Sequence, residues 1–185
     1  MAKTSKRKKS SKNYLYIAPA MLWMAFIFYM SSRTGADSSS VSNPITDFIV
    51  DLFQRVRNDT PQVIDSMTGG VEIMVRKGAH MTEYGVLLAL VLLAVRKTGD
   101  GVSYAMEWVW SVSITFAYAC SDELHQLFVA DRAGRATDVM IDMCGALAVM
   151  LIILGMRSTR GRIVTGFVIA LLAVALVLFL LLWPF

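Results

Sequence analysis

The chain has 185 residues, 56% of them hydrophobic and 17% charged, with a formal net charge of +4 and a mean hydropathy of +0.55. A soluble domain normally carries charge on about a quarter of its residues, so the composition excludes an ordinary soluble domain. It also excludes a disordered chain and, with twelve Met against four Pro, a collagen-like or Pro-rich one, which leaves an integral membrane protein.

Residues 1–13 form a basic tail carrying Lys3, Lys6, Arg7, Lys8, Lys9 and Lys12, suited to the anionic inner leaflet. The first apolar run is Tyr14 to Met30. Its apolar stretch exceeds the roughly 7–15 residues of a signal-peptide core, so it reads as an uncleaved helix. The segment 31–70 opens on the polar SSRTGADSSS. Asn43-Pro44 then offers an N-cap followed by Pro at the first helical position. Ile45, Phe48, Ile49, Leu52, Phe53 and Val56 recur at helical spacing, with Asp47, Asp51 and Arg55 on the other face. This predicts a short amphipathic helix over about 44–57, lying on the outer ends of the spans or in the interface. Gly69-Gly70 predicts a break before the second span, about Val71 to Val95. The third span is about Val102 to Ser121, which carries Glu107; the fourth is about Thr137 to Met156; the fifth is Ile163 to Pro184. Each approaches the roughly 20 apolar residues that cross a bilayer. The fold class is therefore all-α, a polytopic bundle of about five transmembrane helices. The domain reading is a tail (1–13), a four-span domain (14–156) and an additional C-terminal helix (157–185).

Orientation follows from the basic residues. Eleven of the 18 Lys and Arg residues lie in the tail, at Arg96 and Lys97, and at Arg157, Arg160 and Arg162. Short basic loops stay cytoplasmic, so the N-terminus is inside and the C-terminus outside. The +4 charge belongs to these flanks, and nucleic acid is not an expected partner.

Ionisable residues within a span are costly and mark function by default. With Arg96 as the inner edge of span two, Glu83, His80 and Lys77 lie about 20, 24 and 28 Å above it at helical rise. With Arg157 as the inner edge of span four, Asp142 and Asp138 lie about 22 and 28 Å up. Span three delivers Asp122, Glu123, His125 and Gln126 to the same level. Arg76, His80 and Glu83 share one helix face, Lys77 and Tyr84 an adjoining one, and Asp138 and Asp142 stack on span four. Both His residues of the chain belong to this set.

Such a cluster suits general acid/base chemistry, capture of an anionic head group or metal ligation. It equally suits an ion-pair network that fixes helix register without any ligand. Two His are few for zinc catalysis, where three protein ligands are usual, and no metal or cofactor is assigned. Cys120 and Cys144 read as packing residues rather than a disulfide. Trp108, Trp110 and Trp183 read as interfacial belt residues. No Gly-rich phosphate loop, G-x-S-x-G, Cys-x-x-Cys or H-E-x-x-H is present.

The motifs FYMSSRTGADSSS after span one, RKGAHMTEYGVL at 76–87 and SDELHQLFVADRAGRATDVMIDMCGAL at 121–147 resemble those of the VanZ-like family of bacterial membrane proteins. The resemblance covers most of residues 26–150. It implies that Lys77, His80, Glu83, Tyr84, Asp122, Glu123, His125, Gln126, Arg132 and Asp138 occupy family motif positions. Two departures stand out: Ala130-Asp131 replaces a common Pro-Gly, and Asp142 replaces a common Asn. The resemblance implies a cell-envelope role in the bacterial cytoplasmic membrane, linked to resistance to the antibiotic teicoplanin.

Two functions are expected from these residues. In the first, an outward-facing pocket does acid/base chemistry on a membrane lipid or lipid-linked envelope molecule. His80, Glu83, Glu123 and His125 would be catalytic. Lys77, Tyr84, Asp122, Gln126, Arg132, Asp138 and Asp142 would bind the substrate. In the second, the same pocket binds a lipid or antibiotic head group without chemistry, or scaffolds cell-wall enzymes. Transport ranks last, since no inverted repeat is visible.

Overall fold

The computed structural model describes residues 11–57 and 61–157, with Arg160, Arg162 and Gly166. A 3-10 turn (Ser11–Tyr16) leads into α1 (Ile17–Ser31), followed by α2 (Gly35–Arg57), α3 (Pro61–Thr98), α4 (Tyr104–Gln126) and α5 (Ala136–Gly155). The described residues contain helices and no strand, as expected for an all-α bundle. Three segments are long and apolar enough to cross a membrane: Tyr14–Ser31, Val63–Thr98 and Ala136–Gly155. The basic residues of the tail before position 11, and the expected span Ile163 to Pro184 apart from Gly166, lie outside the described residues.

Three boundaries differ from the sequence reading. The expected short helix after Asn43 is longer: α2 starts at Gly35 and runs through Pro44. Pro44 removes one N–H from the ladder, but Ser42 and Thr46 beside it are buried, so packing carries the helix across. The break expected at Gly69-Gly70 is absent, and α3 is continuous over 38 residues. Each glycine costs about 1 kcal/mol there; Met67 and Val71, on either side, are buried with Val50 of α2 and hold the turn in place. Finally, α4 continues beyond Ser121 to Gln126, so Asp122, Glu123, His125 and Gln126 sit on its last turns.

Every other helix packs on α3. Its middle buries Tyr84, Leu87 and Val91 against Ala20 and Ile27 of α1 and Ala119 of α4. The adjoining face buries Leu88 and Leu92 against Trp108 of α4 and Ala146 of α5. At about 57 Å, α3 is far longer than a hydrocarbon core of about 30 Å, and α2 packs along its N-terminal part. Around this framework Leu22, Tyr29, Trp110, Phe116, Met140 and Leu151 remain exposed. A water-soluble bundle would bury side chains of this size; a lipid-facing one need not.

Candidate functional site

The site begins with a close helix crossing. A Cβ at Gly145 of α5 would overlap the Met81 backbone of α3, and one at Gly85 would stand 3.2 Å from the Gly145 carbonyl oxygen and 2.8 Å from Val149 Cγ2. With the backbones this close, the turns just beyond the crossing bring their side chains face to face. Two rungs result. The deeper is His80 Nδ1 against Asp142 Oδ1 at 3.6 Å, with side chains 24% and 1% exposed. One turn outward is Lys77 Nζ against Asp138 Oδ1 at 3.5 Å, with side chains 48% and 33% exposed. Spacings of three on α3 and four on α5 produce this ladder.

The end of α4 closes a second side. Gln126 Nε2 donates to Asp122 Oδ2 and to Glu123 Oε1, both at 3.2 Å. The Arg135 backbone N–H donates to Glu123 Oε2 at 2.8 Å, so Glu123 ties the end of α4 to the start of α5. A Cβ at Gly134 would overlap the Glu123 carbonyl, which fixes the loop close to α4. In that loop Asp131 takes the left-handed φ of 57°, a conformation that favours glycine.

Arg132 reaches across to α1. Its Nε donates to the Arg33 carbonyl at 3.2 Å and an Nη to the Met30 carbonyl at 3.5 Å. Burial and the nearby Arg76 guanidinium lower its pKa from the ordinary value, partly opposed by Asp122 and Glu123; as an arginine it stays charged. Trp23 Nε1 donates to the Glu83 carbonyl at 2.9 Å, and Tyr118 Oη donates to the Met24 carbonyl at 2.5 Å. These bonds dock α1 on α3 and α4.

Two cavities meet at this constellation. One, of about 450 Å³, is polar and lies among α3, α5 and the loop; Lys77, Asp131, Arg135, Asp138 and Asp142 line it. The other, of about 110 Å³, runs under α2 between α1 and α3; Ile27, Ile45, Val75, Glu83 and Asp122 line it. Arg76, His80 and Arg132 line both. Several buried polar atoms here make no hydrogen bond of good geometry: His80 Nδ1, Tyr84 Oη, Asp122 Oδ1 and both carboxylate oxygens of Asp142. Unsatisfied buried groups are expensive, so their concentration around the cavities sets this region apart.

Of the residues singled out from sequence, Lys77, His80, Glu83, Asp122, Gln126, Arg132, Asp138 and Asp142 line one or both cavities. Tyr84 is wholly buried and interacts with Asp122 and Asp142. Glu123 faces the loop that follows α4. His125 points elsewhere: its ring stacks on Phe28 with centroids 4.6 Å apart, and its Nε2 lies 3.0 Å from Ser32 Oγ. Cys120 and Cys144 are both free thiols. Among the described residues no three His, Cys, Asp or Glu side chains converge as metal ligands. The structure adds Asp131 and Arg135, and it adds Gly85 and Gly145 as the crossing point. A glycine within each of two motif blocks was the available signal for the crossing; nothing in a loop of mixed charge marked Arg135.

No curated protein and no solved structure matches the chain. Residues 16–157 match the VanZ/LLP1 family, a span that takes in all five α-helices. On that match the chain belongs to the VanZ/LLP1 family.

Proposed function

We propose that this chain is a VanZ-like envelope protein whose paired cavities take the head group of an amphiphilic, lipid-linked molecule at the outer leaflet and act on it by acid/base chemistry. The observation that carries the reading is the His80–Asp142 pair at the junction of a polar and a largely apolar cavity. At 3.6 Å the pair stands just beyond hydrogen-bond length, as catalytic pairs without substrate often do. With its Nδ1 proton directed at Asp142, His80 presents the Nε2 lone pair as a base. Glu83 and Asp122 stand at the same junction as carboxyl groups able to exchange a proton with a bound molecule. Arg76, Lys77 and Arg132 supply positive charge for an anionic group. Glu123 and His125 act by position, the first on the loop to α5 and the second on α1.

The topology supporting this is N-terminus inside, with α1, α3, α4 and α5 as spans, the segment after residue 162 as a fifth, and the cavities facing outward. Arg96, Lys97 and Arg157 gather at one end of the bundle with Tyr16 and Tyr104, as the positive-inside rule requires of a cytoplasmic end. The apparent exception, α4, has 23 residues and runs between the same two ends. Its Glu107 is paired with Arg96 at 2.8 Å, which removes the obstacle to its crossing.

A second reading, head-group binding without chemistry, is favoured by the loose Lys77–Asp138 rung, which a ligand's charges can replace. Family membership links either reading to glycopeptide resistance. The test expresses His80→Gln, Glu83→Gln and Lys77→Arg at equal membrane levels and measures the teicoplanin concentration that stops growth. Catalysis predicts loss for the first two and retention for the third. Binding alone predicts that all three keep most of the effect. Wild-type protection that is absent altogether contradicts the resistance link.

A further inference from the structure

The polar cavity is not a simple anion site. Four cations, Arg76, Lys77, Arg132 and Arg135, face three carboxylates, Asp131, Asp138 and Asp142. The two signs are also graded in depth. Asp142 is fully buried with neither carboxylate oxygen hydrogen-bonded, whereas Lys77 is half exposed at the rim. A buried carboxylate with two idle acceptors calls for a donor that carries positive charge. His80, its ion-pair partner, stands 3.6 Å away and satisfies neither oxygen.

We infer that the cavity is a subsite for a zwitterionic head group, a primary ammonium joined to a phosphate, with the ammonium on Asp142 and Asp138 and the phosphate against Arg76, Lys77 and Arg135. This deepens the head-group reading above and rests on it. The volume of about 450 Å³ equals roughly 15 waters of liquid, ample for such a group. The link at His80 to the small apolar cavity gives the first carbons of an attached chain an apolar wall at Ile27, Ile45 and Val75. A primary ammonium donates three hydrogen bonds. A quaternary one donates none, and a glycerol head group has no cation for Asp142. The subsite therefore discriminates among phospholipids that share the same phosphate.

The experiment titrates the purified full-length protein in detergent with dihexanoyl phosphatidylethanolamine, phosphatidylcholine and phosphatidylglycerol, read by native mass spectrometry. Phosphatidylethanolamine should bind at least about tenfold more tightly than the other two, the worth of one hydrogen bond to a charged group. Asp142→Asn should erase that preference. Should Asp142→Asn fail to fold, wild-type protein with the mono-, di- and trimethylated head groups should weaken stepwise as donors are lost. Equal binding of phosphatidylethanolamine and phosphatidylcholine, or an Asp142→Asn variant that keeps the preference, overturns the inference. Binding of phosphatidylglycerol alone overturns the ammonium subsite and leaves the head-group reading standing; binding of none of the three overturns both. Free O-phosphoethanolamine provides the remaining arm. Affinity matching the lipid's assigns the same chemistry to a soluble ligand, and much weaker affinity assigns it to the lipid.

Discussion

The two ends of the bundle treat their charges differently. At the end carrying Arg96, the cations Arg96, Lys97 and Arg157 each have a partner. Arg96 bonds Glu107 at 2.8 Å and lies over the Tyr104 and Trp108 rings, Arg157 lies 4.2 Å over Tyr104, and Lys97 lies over Tyr16. At the other end Arg55 pairs with Asp51 at 2.7 Å along α2, but the two ion pairs at the cavities are loose, at 3.5 and 3.6 Å, and one buried oxygen of Asp122 and both of Asp142 lack donors. Side chains of the same chemistry thus close one end and leave the other poised. Charges that complete one another stabilise and orient a bundle. Charges held close without completing one another cost stability, and a bound ligand can supply what they lack.

Substitutions at the two ends should therefore separate function from stability. The largest effect is expected at the poised end: His80→Gln should lower any turnover about 10²–10⁴-fold, the usual worth of a general base, with an unchanged unfolding temperature. Equal losses of turnover and of folded protein would instead make His80 a structural residue. Next comes the crossing that builds the poised end. Gly145→Val forces a side chain into the Met81 backbone and should cost about 3 kcal/mol, seen as a lower unfolding temperature in detergent and loss of ligand binding together. At the closed end, Arg96→Gln removes the partner of the part-buried Glu107 and should cost about 1 kcal/mol. It should leave ligand binding untouched, and an equal loss of binding would erase the contrast between the ends. The smallest effect has the opposite sign. Asp131→Gly relieves the left-handed backbone at φ 57° and should stabilise by up to about 1 kcal/mol, raising the unfolding temperature slightly.

Much of the fold was legible because apolar runs and basic flanks report directly on spans. Helices α1, α4 and α5 begin and end within a few residues of the expected spans, α4 excepted at its C-terminal end. The misreadings share a cause. Asn43-Pro44 and Gly69-Gly70 are local stop signals, and packing between α2 and α3 overrides both. The meeting of Lys77 with Asp138 and of His80 with Asp142 was legible as shared depth, since helical rise converts residue number into height. Azimuth was not. His125 has the right height, but its face of α4 turns to Phe28 and Ser32. Glu123 also has the right height, and it is used by the Arg135 backbone. Which acid stays unsatisfied depends on where neighbouring backbones run, and a single sequence does not display that.

The central claim is that the poised end holds a ligand and the closed end does not. Native mass spectrometry of protein freshly extracted from its membrane, without added lipid, tests it most directly. One tightly retained lipid is expected on the wild type and on Arg96→Gln, and its loss from Arg76→Gln and Lys77→Gln, which remove cations that line the polar cavity. Bare protein in every case, or lipid retained equally by all four, would contradict it.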